Sequence, residues 1–208
     1  MAKSCRVVTI ARSLGAGGEE VGRAVAKELG FRYANEEIIV RAAEAAGVSP
    51  EAMAQAEATP GLITRILESM ARAPVVPEAW TGYPAMDVHE AQRYESLIEA
   101  VIRQTGAQGD VVIVAHGASF PLAGTDGLLR VFVTAPPDVR AKRLAQRSNL
   151  SEQEAHKAVR DSDGQRREFL RRFYEVKDEL PTHYDLVLNT DVLSAQQAVR
   201  LVVTAAKG

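Results

Sequence analysis

Near its start the chain reads Val7-Val8-Thr9-Ile10-Ala11-Arg12-Ser13-Leu14-Gly15-Ala16-Gly17-Gly18-Glu19-Glu20-Val21-Gly22, an apolar run that turns at a glycine cluster and continues as a helix pattern. Few folds accept that order. The run lacks polar alternation, so it reads as a strand buried on both faces from Arg6 to Ala11. Glycines let backbone approach a ligand without an intervening Cβ, and the free N–H groups of the next helix start point partial positive charge at an anion. The stretch predicts strand, phosphate loop and helix, with a nucleotide phosphate as guest.

Set against G-x-x-x-x-G-K-[ST], the loop departs in two places. Arg12 takes the first glycine position and Gly17 keeps the second, but Gly18 stands where Lys is expected. Glu19 or Glu20 stands where a hydroxyl would hold Mg²⁺. Losing one charge-assisted hydrogen bond costs roughly 1.5–3 kcal/mol, about one to two powers of ten in rate if the bond acts only in the transition state. Other cations must supply that charge.

The remaining pattern is that of an α/β chain. Helix spacing of Val21, Ala24, Val25 and Leu29 ends at Gly30, and Phe31–Ala34 predicts a short second strand, which makes a βαβ unit. Asn35 is expected to cap a helix running to Gly47. Ser49-Pro50 and Thr59-Pro60 predict two short helices, and residues 72–86, around Trp80, read as a substrate-side loop. Asp87 and Glu90 suggest a capping box for a long helix ending near Gly106. Val111–Ala115 and Leu129–Ala135 read as fully buried strands, and Tyr184–Asn189 as the last. Helices are expected from Asp138 to Arg147, from the Ser151/Glu154 capping box to about Tyr174, and from Ser194 onward. Ligands of open parallel sheets sit beyond the carboxyl ends of the strands, so His116 should lie near Arg12.

The glycine loop resembles that of the cytidylate kinase-like family, a P-loop branch whose loop reads I-S-R-x-x-G-S-G-G-x-x-I-G; Arg12, Gly15, Gly17, Gly18 and Gly22 fit it. The missing Lys is a trait of that branch. Arg160-Asp161-Ser162-Asp163-Gly164-Gln165-Arg166 resembles its R-D-x-x-D-x-x-R lid motif shortened by one residue, and the Tyr184–Thr190 stretch its last strand, beside the adenine. The resemblance implies a three-layer P-loop NTPase fold, with a five-stranded parallel sheet flanked by helices and an Arg-rich helical lid. It implies a single domain over 1–208, with a substrate-side insert at about 48–86 and a lid at about 138–175.

The implied chemistry is phosphoryl transfer from ATP, with Mg²⁺, to a nucleoside monophosphate or similar small acceptor, CMP and dCMP first. Ser13, Leu14, Gly15, Ala16, Gly17, Gly18, Glu19 and Glu20 would cradle phosphates, with Arg12, Arg160 and Arg166 as catalytic cations. Glu37, His116 and Asp163 would stand on the substrate side, and Glu20 would reach the phosphates through the metal. An Arg reaching the transferring group is worth about 10³–10⁵ in rate, enough to replace the Lys. The G-R-D acceptor clamp of cytidylate kinases reads Gly117-Ala118-Ser119 here, and Asn35 stands where relatives often carry Asp. The alternative is a regulatory nucleotide-binding protein that kept the cradle and lost turnover. The lid segment's bland reading is a solvated face with pairs such as Asp163–Arg167 and Glu168–Arg172.

Composition narrows the rest. A net charge of −2 offers no polycation for nucleic acid, and no run approaches the roughly 18 apolar residues of a membrane span. Met1–Arg6 leads into an apolar segment too short for a signal peptide, so a cytoplasmic location is expected. The single cysteine, Cys5, excludes an internal disulfide and reads as a small apolar residue. Oligomeric state is open.

Overall fold

The computed structural model describes residues 5–47, 49–51, 54 and 88–208. The insert expected at 48–86, with the helix after Pro60 and the loop around Trp80, lies outside these residues apart from 49–51 and 54, and so does the Asp87/Glu90 cap.

Five strands, β1 (Val7–Arg12), β2 (Arg32–Ala34), β3 (Val111–Val114), β4 (Leu128–Thr134) and β5 (Leu186–Asn189), form one parallel sheet in the order β2-β3-β1-β4-β5. Parallel neighbours need crossovers; α1 (Gly18–Leu29), α2 (Glu36–Ala46), α3 (Val88–Gln108), α4 (Pro137–Ser148) and α5 (Glu152–Tyr174) lie on such connections, and α6 (Ala195–Lys207) follows β5. Side chains alternate across the sheet, which gives the strands two cores. Val8, Ile10, Val114 and Val131 pack with Val21 and Val25 of α1 and Val199 and Val202 of α6. Val7, Val111 and Ile113 face Ile38 of α2 and Ile98 and Ile102 of α3. The result is the three-layer P-loop fold that the sequence predicts.

Several local expectations hold. Ser151 and Glu154 form the expected reciprocal capping box, and Ser194 begins the last helix as expected, there forming a further box with Gln197. Gly30 and Gly47 end α1 and α2 in the left-handed conformation. A Cβ on Gly22 would lie 2.6 Å from Cγ2 of Val114, so this glycine is what lets α1 lie close on β3.

Others need correction. β4 alternates between buried and half-buried residues rather than being buried throughout, and β5 is an edge strand with only Leu188 buried. Asn35 starts α2 without a side-chain capping bond. Helix α3 runs past Gly106, where a Cβ would sit 2.8 Å from Leu122 Cδ2. The expected helical ion pairs are rearranged: Asp163 pairs with Arg140 and Glu168 with Arg171. Cys5 is half-buried, and burial raises its thiol pKa, as suits a structural residue.

Candidate active site

The loop between β1 and α1 turns its carbonyls inward. Ser13 O accepts from Ala16 N (3.1 Å), Leu14 O from Arg140 Nη1 (3.3 Å), Ala16 O from Thr190 Oγ1 (2.9 Å) and Gly17 O from Val21 N (3.1 Å). Among the described residues, the amides of Leu14, Gly15, Gly17, Gly18, Glu19 and Glu20 have no partner within the protein. A row of unpaired N–H groups at a helix start is an anion cradle. Ala16 is the exception within the expected run, because its amide is used inside the loop and its methyl is buried. Ser13 is also committed: its amide donates to Val133 O, and its hydroxyl lies 3.0 Å from that of Thr134.

These amides open into a cavity of about 570 Å³ beyond the ends of β1 and β3, lined by Arg12–Gly15, Gly17–Glu20, Asn35, Ala115–Gly117, Leu144, Arg147, Ser148, Ser162, Asp163, Gln165, Arg166 and Phe169. That size suits a small-molecule site. A smaller recess of about 140 Å³ adjoins it between Gly15, Glu20, Arg143, Arg147, Thr190, Leu193 and Ser194. His116 and Arg12 thus share one cavity, as the strand-end rule predicts.

Each cavity cation meets a carboxylate. Arg12 donates through Nε and Nη2 to Oε1 of Glu19 at 3.1 and 2.8 Å, and Arg147 approaches Glu20 at 3.5 Å. A Cβ on Gly18 would lie 2.6 Å from that of Arg12, so the missing Lys position is filled by close backbone approach. Arg166 lines the cavity, but its guanidinium is bound to both oxygens of Glu179 (2.7 and 2.5 Å) and to the Tyr184 hydroxyl (3.1 Å). Burial alone would lower the Arg166 pKa; the bonds and charge of Glu179, with Tyr184, outweigh it and raise it. Burial, reinforced by Glu179 and opposed by Arg166, also raises the Tyr184 phenol.

Other expected positions fall elsewhere. Arg160 is exposed and does not line the cavity, since it points about a quarter turn away from Val159, which packs inward on Ala141. Glu37 pairs with Arg32 and is likewise outside the lining. Asp163 lines the cavity but is held by Arg140, whose Nη1 and Nη2 reach its two oxygens at 3.0 and 2.7 Å. Arg140, Arg143 and Arg147 are the side chains that sequence reading left unassigned. Their spacing puts them on one face of α4, and that was the available signal.

At the end of β3, Ala115, His116 and Gly117 take three successive left-handed conformations, with φ of 71°, 54° and 62°. Non-glycine residues pay roughly 1–2 kcal/mol each for this. The turn sends Ala118 and Ser119 away from the cavity: Ala118 joins the α2/α3 core, and buried Ser119 meets Thr9, hydroxyl to hydroxyl, at 2.9 Å. An arginine clamp at position 118 therefore has no path to the cavity. His116 Nε2 donates to Asn35 O at 2.9 Å.

The pattern described as the cytidylate kinase-like family matches residues 7–192. The cytidylate kinase of Pyrobaculum neutrophilum is 32% identical over 123 residues, covering 56% of this chain and 66% of that protein. That of Pyrococcus horikoshii is 28% identical over 127 residues, covering 58% and 65%. The chain thus spans just under two thirds of these two relatives, whereas with the cytidylate kinase of Ignicoccus hospitalis, 27% identical, it aligns over 94% of this chain and 96% of that one. Among solved structures, an uncharacterized protein from Eubacterium ventriosum superposes with a TM-score of 0.65 at 16% identity, over 97% of this chain and 98% of that one. A shikimate kinase from Acinetobacter baumannii in complex with shikimate gives 0.52 at 12%, over 98% and 93%. At these identities the structural likeness is one of fold.

Proposed function

The chain belongs to the cytidylate kinase-like family, and from that premise we propose that it transfers the γ-phosphoryl group of ATP to a nucleoside monophosphate or similar small acceptor, CMP and dCMP being the first to try. The observation that carries this reading is the row of unpartnered amides at Gly15 and Gly17–Glu20, facing a cavity that also holds Arg12 and Arg147. The triphosphate lies along the amides, and its base occupies the recess beside Arg143 and Thr190. Arg12 and Arg147 exchange their exposed carboxylate partners for phosphate oxygens. The acceptor enters by Asn35, His116 and Gly117, with residues 48–86 as its insert and 138–175 as the lid of a single domain. An acceptor phosphate oxygen attacks the γ-phosphorus in line, and the bond to ADP breaks. Such a step needs positioning and positive charge above all.

Mg²⁺ in phosphoryl-transfer sites is held by substrate phosphates and one or two carboxylates, and Glu20 on the cavity wall fits that role. The ion supplies charge neutralisation between the phosphates.

A second reading, nucleotide binding without turnover, draws on Gly18 in the Lys position and on the carboxylate partners of both exposed arginines. One experiment separates the two. The purified protein is incubated with ATP and Mg²⁺ against a panel of nucleoside monophosphates, and ADP is followed. Acceptor-dependent turnover that falls at least a hundredfold in Arg147→Ala and little in Arg160→Ala supports a kinase in which Arg147, and not Arg160, meets the phosphates. Saturable ATP binding without turnover supports the second reading, and absence of ATP binding overturns both.

A further inference from the structure

Arg140 is 3% exposed, sits at the start of α4, and joins three elements at once. Its Nε donates to Ala135 O at 2.8 Å, at the end of β4; its Nη1 donates to Leu14 O at 3.3 Å, in the glycine loop; and its fork holds both Asp163 oxygens on α5. The carbonyl of Arg140 in turn lies against the loop, because a Cβ on Gly15 would be 2.7 Å from it. A buried guanidinium is stable only when its donors are met. Here the two acceptors beyond its own segment belong to the loop and to the lid helix.

The bond to Leu14 O has a directional consequence. In a trans peptide the carbonyl and the following N–H point opposite ways, so drawing Leu14 O toward Arg140 turns the Gly15 amide away from it, to the cavity side. We propose that Arg140 is a positioning residue that sets the amides of the phosphate loop and, through Asp163, ties their geometry to the placement of the lid helix. It acts without touching the nucleotide. The proposal rests on the nucleotide reading of the cavity for its functional consequence, but its physical content, coupling between loop and lid, holds in the protein without nucleotide.

The test uses the full chain with Asp163→Asn, which keeps the shape and removes the charge at a position one third exposed, and with Asp163→Glu, which restores a carboxylate. Hydrogen exchange without nucleotide is followed in peptides covering residues 13–17 and 160–166, and ATP affinity is measured by titration. Asp163→Asn is expected to speed exchange at the Ala16 amide about tenfold and to weaken ATP by a similar factor, within the usual range of coupling between sites; Tm falls as well, because buried Arg140 loses its charge partner. Asp163→Glu recovers most of both effects. Exchange changes confined to residues 160–166, with the loop untouched, overturn the proposal. If even the unaltered protein does not bind ATP, the nucleotide reading fails while the exchange result still decides the coupling.

Discussion

Two glycines of the phosphate loop share a conformation but not surroundings, and this separates folding from binding. Gly15 and Gly17 both have φ of 80°. An alanine at either position meets the left-handed penalty, roughly 1–2 kcal/mol. At Gly15 the added Cβ would also stand 2.7 Å from Arg140 O and 3.1 Å from its carbonyl carbon. That backbone cannot retreat freely, since Arg140 N donates to Pro136 O in the first turn of α4. Overpacking of this kind costs about 1–3 kcal/mol, so Gly15→Ala should lose about 2–5 kcal/mol in all. With roughly 2–4 °C per kcal/mol for a chain of this size, Tm falls by about 4–20 °C. At Gly17 nothing lies within 4 Å of the Cβ position, and the residue borders both cavities. Gly17→Ala should lower Tm by only about 2–8 °C while costing ATP affinity tenfold or more, about one charge-assisted bond. Thermal melts and ATP titrations of both variants check this. Gly17→Ala proving the more destabilising, or binding ATP normally, would refute the loop geometry on which the site is built.

Two further outcomes follow from the ion pairs. Glu19→Gln frees Arg12 and removes a negative charge beside the amides; at about 6 Å and an effective dielectric near 20 that repulsion is about 3 kcal/mol at most, so without Mg²⁺ the variant should bind ATP tenfold or more tightly. Weaker binding in titration calorimetry would instead make Glu19 a contributor to the site. Asp185 joins β4 to β5 through Arg130: its carboxylate accepts from the Arg130 side chain (2.7 and 3.2 Å) and backbone N–H (2.8 Å), and the side-chain bond above all lowers its pKa against a smaller burial effect. A lowered folded pKa means stability that is present above the unfolded value near 4 and lost as pH falls through the folded one. Asp185 is more than a third exposed, which limits the effect to about 1 kcal/mol. Asp185→Asn should therefore be less stable in urea at pH 7 by that amount and match the unaltered protein near pH 2; a deficit that persists in acid would contradict it.

How far the chain could be read depended on whether the signal was local. The strands of Val7–Ile10 and Val111–Val114, the Ser151/Glu154 capping box and the glycine loop are set by neighbours in sequence, and they appear where the pattern puts them. The half-exposed face of β4 and the edge position of β5 follow from strand order, which no stretch of sequence encodes by itself. The lid arginines part company for a subtler reason. Motif matching put Arg160 and Arg166 on equal terms, yet the apolar stripe Ala155, Val159 and Leu170 fixes which face of α5 turns inward. Along a helix Asp163 and Arg166 lie within about 40° of Val159, while Arg160 is about 100° away. The periodicity of α5 thus already excluded Arg160 from the inner face, and only the partners, Arg140 and Glu179, required the third dimension.

Those partners divide the arginines by task. Arg12–Glu19 and Arg147–Glu20 are half-exposed or more on the carboxylate side, with Glu19 51% and Glu20 62% exposed, and exposed pairs contribute only about 0–1 kcal/mol. So small a net contribution leaves either guanidinium able to exchange its carboxylate for a phosphate oxygen, an acceptor it can grip with two parallel bonds. Arg166 and Glu179 are 20% and 13% exposed, and Arg140 is deeper still. Breaking such a pair by removing one partner costs about 3–5 kcal/mol, several times the worth of an exposed pair. The exposed pairs can therefore release their arginines to a ligand, while the buried pairs stay closed and hold the loop and lid that the ligand meets. On the proposed reading, charge lost from the Lys position would come from Arg12 and Arg147, whose partners are exposed, while Arg140 and Arg166 stay with theirs.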